Sequence, residues 1–416
     1  MENNINKNYD FNINIYTFHK LALNILKQNN HNFQIAPDNF LDTIIDNFFQ
    51  TIKNNKKFQK ALKKLAKNDK EMINLKKLIK TFINLFKSKN YDITHFKLIL
   101  KKIKFTINIK EYINNKLLLL FIINIYINYE YELTNEKSLD FNDMINKATM
   151  SIKKDGLKEN WKYIIIDEYQ DTSFTKFNMI NEIIKKTKAK LLVVGDDYQS
   201  IYRFTGCDLS MFLNFTKYYP EAKIMPIINT YRNPQELIDI AGNFIMKNKK
   251  QLKKKLYSNK SISNPINILL TNNERQTFKD ILNKLQSNDI MVLGRNNNDI
   301  NMYIDNEFTP KNEYYTYHNT TFRYLTIHKS KGLESKVVII INVNDDAIPS
   351  KIKNEKILKY VNDSKDYYPY EEERRLFYVA LTRTKTKVFI ISSRKTPSIF
   401  VKELLKSNKN IRVLER

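Results

Sequence analysis

Cysteine, glycine and tryptophan are scarce in this chain of 416 residues. The single cysteine, Cys207, excludes an internal disulfide and suits a reducing compartment. With only five scattered histidines beside it, no metal-ligand spacing is formed. The six glycines are Gly156, Gly195, Gly206, Gly242, Gly294 and Gly332. A loop that wraps phosphate in backbone N–H groups needs clustered glycines followed by a lysine. No such cluster occurs, and Lys331-Gly332 has the order reversed. Long apolar runs are also missing. The most apolar stretch, Leu117–Ile127, is interrupted by Asn124, too short to span a bilayer, and reads as a buried helix. The polar N-terminus, Met1 to Asn14, reads as no signal peptide. Finally, acid is scarce relative to base: 70 Lys and Arg against 44 Asp and Glu give a formal charge of +26. Such a charge favours a polyanionic partner and opposes self-association. A codon bias towards Lys, Asn and Ile does not explain why the acids lag so far behind.

The length predicts two or three domains. The most informative stretch runs from Trp161 to Phe204. Two short apolar runs, Tyr163–Ile166 and Leu191–Val194, read as strands of a parallel sheet covered on both faces. Each ends in acidic residues. Ligands of open α/β sheets sit beyond the carboxyl ends of the strands. Asp167, Glu168, Gln170, Asp171, Asp196, Asp197 and Gln199 are therefore expected on one rim. That rim suits nucleotide hydrolysis: one carboxylate for Mg²⁺, one to orient water, and a Gln to sense the γ-phosphate. A single strand ending in Asp-Glu would be weak support; the pair is stronger.

Read in order, IIIDEYQD and VVGDDYQSIYRF resemble the Walker B and third motifs of UvrD-like superfamily 1 helicases, and GDDYQSIYRFTGCDLS is most similar to the helicase IV branch. Further motifs follow the same order. A strand pattern at Phe11, Ile13 and Ile15 leads into YTFHKLALNILK, which resembles the family's TFH element. There Thr17 and His19 match positions that touch the DNA backbone. Residues from about 28 to 135 have helical periodicity, with Leu75, Leu78, Phe82 and Leu85 on one stripe and lysines between, where the family has a helical insertion. Leu139–Ile145 resembles DFxDM. After a predicted helix and loop (Met211–Ala222) and a predicted strand (Ile224–Ile228), Asn229–Asn233 is similar to the fourth motif. It implies Tyr231 on adenine and Arg232 on the γ-phosphate. A helix is expected over Pro234–Phe244, a strand over Asp289–Leu293, and a polar loop over residues 296–320. Tyr324–Glu334 resembles the fifth motif, with Thr326 and His328 towards DNA and Glu334 towards the ribose. Glu371–Thr384 resembles the sixth, with Arg383 as the arginine that meets developing γ-phosphate charge. A strand, Lys387–Ser392, is expected behind it.

The resemblance covers Tyr16 to Ser392. It implies an α/β fold of two RecA-like parallel-sheet domains: residues 1–225, incomplete at the N-terminus and carrying the helical insertion, and residues 226–416. It implies ATP as substrate, Mg²⁺ held at Asp167, water oriented by Glu168, and single-stranded and duplex DNA as partners. Tyr202 and Phe204 would stack on bases; Trp and a second Arg, usual in the family at YRWRG, are replaced in YRFTG. The expected activity is a cytoplasmic, nucleoid-associated ATP-dependent translocase and DNA helicase, 3′→5′ by resemblance. The departure is the phosphate-binding loop. The missing first strand is central in such a sheet, so its absence leaves backbone groups without partners. Three expectations follow: a fragment, one half of an enzyme whose second polypeptide carries the loop, or a degenerate remnant; the rival to the helicase is a non-catalytic single-stranded-DNA-binding subunit or remnant without ATPase activity.

Overall fold

The computed structural model describes residues 13–103, 109–285, 287–350, 356–361, 370–407 and 410–415. The chain forms two compact units, one of Met1–Gly195, Tyr202–Asp208 and Asn354–Lys365, the other of Asp196–Ile201, Leu209–Lys353 and Asp366–Arg416.

The first unit is mainly helical. Helix α1 (Phe18–Gln28) starts where the Thr17 hydroxyl accepts from the Lys20 N–H. Strand β1 (Gln34–Ile35) pairs in parallel with β2 (Ser138–Leu139). Between them lie α2 (Phe40–Ile52), α3 (Lys56–Leu65), α4 (Asp69–Ser88), α5 (Ile93–Lys102) and α6 (Ile109–Asn135), the expected helical insertion. Leu75, Phe82 and Leu85 of the expected stripe are buried, with Ile79, Ile83 and Phe86 completing a face about two residues wide per turn. That face meets Leu119, Ile122, Ile125 and Tyr126 of α6 in one apolar core, which Ile357 and Val361 also enter.

Helix α7 (Phe141–Asp155) is capped by the Asp140 carboxylate, which accepts from the Asp143 N–H at 2.8 Å. It ends at Gly156, whose φ of +84° a side chain would resist. Then come β3 (Tyr163–Ile166), α8 (Phe174–Thr187) and β4 (Lys190–Val193). The two strands pair in parallel, Ile165 opposite Leu192, and α1, α7 and α8 form an apolar cluster against which Ile164 packs.

Two expectations are corrected here. The strands are not covered on both faces: Tyr163, Ile165 and Leu192 are 69, 70 and 50% exposed, and Val194 just beyond is also exposed. Among the described residues each strand has one neighbour, and the sheet has one face that packs through Ile164 and one open face. The strand pattern starting at Phe11 lies partly outside the described residues, and Ile13 and Ile15 are not in a strand.

The second unit is built on an eight-stranded sheet in the order β12-β5-β11-β10-β6-β9-β8-β7. Its strands are β5 (Ile266–Thr271), β6 (Ile290–Gly294), β7 (Phe308–Lys311), β8 (Tyr314–Tyr317), β9 (Thr320–Thr326), β10 (Ser335–Ile340), β11 (Thr384–Ser393) and β12 (Ile411–Glu415). All pairings are parallel except β7–β8 and β8–β9. Residues β5, β6 and β10 are almost wholly buried, as covered parallel strands require. The helices are α9 (Ser210–Leu213), α10 (Phe215–Tyr218), α11 (Gln235–Ile245), α12 (Glu274–Leu285), α13 (Glu371–Leu381) and α14 (Ile399–Ser407).

Two more readings change. Residues 308–317 form a hairpin inside the stretch expected to be a loop. It turns at Asn312, whose φ is +58°, and stacks Phe308 on Tyr317. Ile224–Ile228 is not a strand; its apolar side chains are exposed. Among the described residues its ladder-like bonding is local, with the Tyr257 N–H donating to the Ile228 carbonyl and a bridge from Asn229 to Tyr257.

Candidate nucleotide and DNA sites

In the first unit, Asp167 and Glu168 follow the last residue of β3 and are exposed. Glu168 sits in the left-handed region at φ +52°, a conformation costly for a side chain and frequent where a site requires it. Its N–H donates to Asp167 Oδ1 at 2.8 Å, and Gln170 Nε2 donates to its carboxylate. The turn thus presents two carboxylates side by side, with the second held by an amide. Among the described residues no cluster of three or more His, Cys, Asp or Glu could hold a metal. An exposed Asp at a strand end nevertheless fits Mg²⁺, which takes one or two carboxylates and fills its shell with water and phosphate oxygens.

Not every residue of the expected rim is presented. Gln170 and Asp197 are fully buried, so neither lines an open rim. Asp167–Asp171 belong to the first unit and Asp196–Gln199 to the second.

In the second unit, residues far apart in sequence are joined in one polar network. Gln199 Oε1 accepts from Arg383 Nη2 at 3.0 Å, and Gln199 Nε2 donates to Asp196 Oδ2 at 2.8 Å. Lys331 Nζ donates to the Gln199 carbonyl at 2.9 Å, and Arg375 Nε to the Ser200 carbonyl at 2.7 Å. Arg383 also donates from Nη1 to the Leu333 carbonyl. The next residue, Glu334, accepts from Arg232 Nε at 2.7 Å and pairs with Lys385 at 2.9 Å. Arg232 and Lys385 hold the Glu334 carboxyl down to about 2, so it is ionised throughout the neutral range. Asn233 closes the ring by donating to the Thr382 and Thr384 carbonyls. Tyr231 projects beside this network and is 78% exposed. The run Glu371–Arg375, which as a bare sequence resembles a solvated charged face, is largely buried: Arg374 forks onto Glu403, and Glu373 pairs with Arg295.

Several members of this network carry no sequence signal. Lys254 lies in the run Lys253–Lys255, which reads as a surface charge cluster. It is instead the central one that turns inward, pairing with Asp196 and Asp197 with its ammonium 4.2 Å from the Tyr198 ring centroid. Gln251 Nε2 and the Leu252 N–H complete the Asp197 shell at 2.5 and 2.8 Å. Lys260 donates to the carbonyls of Tyr231 and Arg232. Only packing reveals these contacts.

The expected DNA-facing residues fall in both units. In the first, Thr17 is the cap of α1, and His19 sits edge-on to Phe141 at 5.0 Å. Burial, with Lys176 nearby, lowers the His19 pKa and favours the neutral ring. Tyr202 precedes a short 3₁₀ turn, Arg203–Thr205, that contains Phe204; their rings lie 6.1 Å apart, with Phe204 52% exposed. In the second unit, Thr326 ends β9. Burial, aided by Arg295, lowers the His328 pKa to about 4.

Comparison with known proteins identifies the family of the chain. The family model of the UvrD/REP helicase N-terminal domain matches residues 1–220, and that of the UvrD-like helicase C-terminal domain matches residues 318–395. DNA helicase IV of Escherichia coli (strain K12) is 31% identical over 286 residues, which cover 65% of this chain and 40% of that one. The ATP-dependent DNA helicase Rep of Buchnera aphidicola subsp. Schizaphis graminum (strain Sg) is 30% identical, over 52% of this chain and 34% of that one. ATP-dependent DNA helicase PcrA of Leuconostoc citreum is 30% identical, over 36% and 21%. The chain thus spans well under half the length of these relatives. With a family model covering more than half of its residues, the chain belongs to the UvrD/REP helicase family.

Proposed function

We propose that this protein is the motor portion of an ATP-dependent, 3′→5′ single-stranded-DNA translocase and helicase acting in the cytoplasm on the nucleoid. The observation that carries the reading is the network joining Gln199, Arg232, Glu334 and Arg383. These four residues lie up to 184 positions apart and meet through direct hydrogen bonds or adjacent backbone. Two arginines, a carboxylate and a Gln fixed in this way suit a polyphosphate nucleotide: cationic groups for the γ-phosphate, an acceptor for a ribose hydroxyl, and an exposed Tyr231 for the base. Preorganised charge of this kind stabilises a transition state without reorganisation when the reaction occurs.

In the first unit, Glu168 would orient the attacking water and Asp167 would hold Mg²⁺. The ion, when bound, neutralises charge on the transferred phosphoryl group. Tyr202 and Phe204 of this unit would stack on DNA bases, with Thr17 and His19 on the backbone; in the second unit Thr326 and His328 would contact the DNA backbone.

The β- and γ-phosphates also need a glycine-rich loop, which none of the 416 residues supplies. We propose that it comes from polypeptide outside this sequence, a second chain or a longer form of this one. The open face of β3 and β4 supports this. Burying Ile165 and Leu192 there would stabilise a partner segment by about 1.5–3 kcal/mol each.

The lack of that loop also favours a second reading, a single-stranded-DNA-binding subunit without ATPase activity. Measuring oligonucleotide affinity with and without an ATP analogue, in the presence of a polypeptide carrying the loop, separates the two. A nucleotide-dependent change in affinity supports the motor; an unchanged affinity supports the binding subunit.

A further inference from the structure

We propose that the end of α4, Lys87-Ser88-Lys89, positions the loop Tyr202–Asp208, so that Lys89 and Asp208 govern single-stranded-DNA affinity without touching DNA. The inference rests on the reading of Tyr202 and Phe204 as base-stacking residues.

The loop is held on two sides. On one side it is tied to the segment just after Asp167 and Glu168. Cys207 Sγ donates to the Asp171 carbonyl at 2.9 Å, the Asp208 N–H donates to the Thr172 carbonyl at 3.0 Å, and Cys207 bridges Ser173 through backbone. On the other side it meets α4. Lys89 Nζ pairs with Asp208 Oδ2 at 3.2 Å, with both side chains mostly buried. Gly206, at φ +93°, lies directly against Ser88: a Cβ there would fall 2.5 Å from Ser88 Cβ, so no larger residue fits. Ser88 itself is buried, its hydroxyl donating to the Leu85 carbonyl at 2.8 Å.

The end of α4 is in turn rigidly anchored. Lys87 is 3% exposed and its ammonium lies among three carboxylates, Glu130 at 2.5 Å, Asp143 at 2.8 Å and Asp140 at 2.9 Å. It also sits 4.9 Å from the Tyr129 ring centroid, whose hydroxyl donates to Asp140. Burial opposes its charge, but the three acids outweigh burial and keep Lys87 ionised. Asp140 caps α7, and Glu130 and Tyr129 lie on α6. One buried ammonium therefore ties α4 to α6 and α7, and the two residues after it carry that fixed position to the aromatic loop. Because Lys89 is spent on Asp208, it is a positioning residue rather than a phosphate contact.

The test is binding of a fluorescent oligothymidylate to the 416-residue protein across a KCl series, for wild type, Lys89→Met, Asp208→Asn and the double variant. Folding is checked by circular dichroism. The expected result is about tenfold weaker binding for each single variant, the loss of roughly one stacked base. The slope of log affinity against log[KCl] stays at the wild-type value, and the double variant binds no more weakly than the singles. Asp208→Asn is decisive, because removing a negative charge would by itself tighten binding to a polyanion. Tighter binding by Asp208→Asn, or a slope reduced by about 0.7 in Lys89→Met, the signature of one lost phosphate contact on a single strand, would overturn the proposal. So would folded variants with wild-type affinity. A wild-type protein that does not bind the oligonucleotide would instead remove the stacking reading on which the proposal rests.

Discussion

Residue by residue, the legible part of this protein is the part whose chemistry needs a particular side chain. Asp167, Glu168, Gln199, Arg232, Glu334 and Arg383 stand out because the motifs that carry them come in a fixed order along the chain. What holds them was hidden. Lys254 is the middle of three consecutive lysines, and nothing in that run distinguishes the one that turns inward to a fully buried Asp197. Removing one partner of a buried pair leaves an uncompensated charge. Lys254→Met should therefore lower stability by about 3 kcal/mol, read as a shift in the urea unfolding midpoint. Lys253→Met, at an exposed neighbour, should change it by less than about 0.5 kcal/mol. His328 makes a pH-dependent prediction. Its folded pKa, about 4, lies below the ordinary 6.5, so the unfolded chain takes up the proton first. The stability this provides is complete above pH 6.5 and is lost as pH falls towards 4, on the order of 3 kcal/mol in total. Thermal unfolding from pH 7 to pH 4 should fall less steeply in His328→Gln than in wild type; equal slopes would show that His328 titrates normally.

At the scale of elements, helices with a strong apolar stripe were predictable and strands only in part. The stripe of α4 and the capped start of α7 follow from local sequence. β3 and β4 also form where their β-branched runs lie, but a run of apolar residues cannot say whether both faces are covered. Here one is not, and so Tyr163, Ile165 and Leu192 are exposed. The same limit explains Ile224–Ile228: strand propensity is realised only against a partner edge, and among the described residues it has none beyond a single bridge. The hairpin at residues 308–317 is hidden for the opposite reason: its aromatics, Phe308, Tyr314, Tyr315 and Tyr317, do not alternate, and Pro310, Lys311, Asn312 and Glu313 separate them. The open face has a direct test. Ile165→Glu and Leu192→Lys should each leave the unfolding midpoint of the isolated chain within about 0.5 kcal/mol of wild type. A loss of several kcal/mol would mean that the face is buried.

For the whole molecule, charge and motif order point to one account. A formal charge of +26 favours a polyanion, and single-stranded-DNA affinity should fall steeply with salt, log affinity dropping linearly with log[KCl]. Under the proposed reading the motifs would provide Mg²⁺, water, γ-phosphate and base contacts, and the glycine-rich loop for the phosphates would come from polypeptide outside this sequence. The most direct measurement is the steady-state rate of ATP hydrolysis by the purified chain with saturating single-stranded DNA, compared with Glu168→Gln. The account predicts that the two rates are equal and that adding a polypeptide with the loop raises only the wild-type rate. A wild-type rate well above that of Glu168→Gln, with no such polypeptide present, would contradict it.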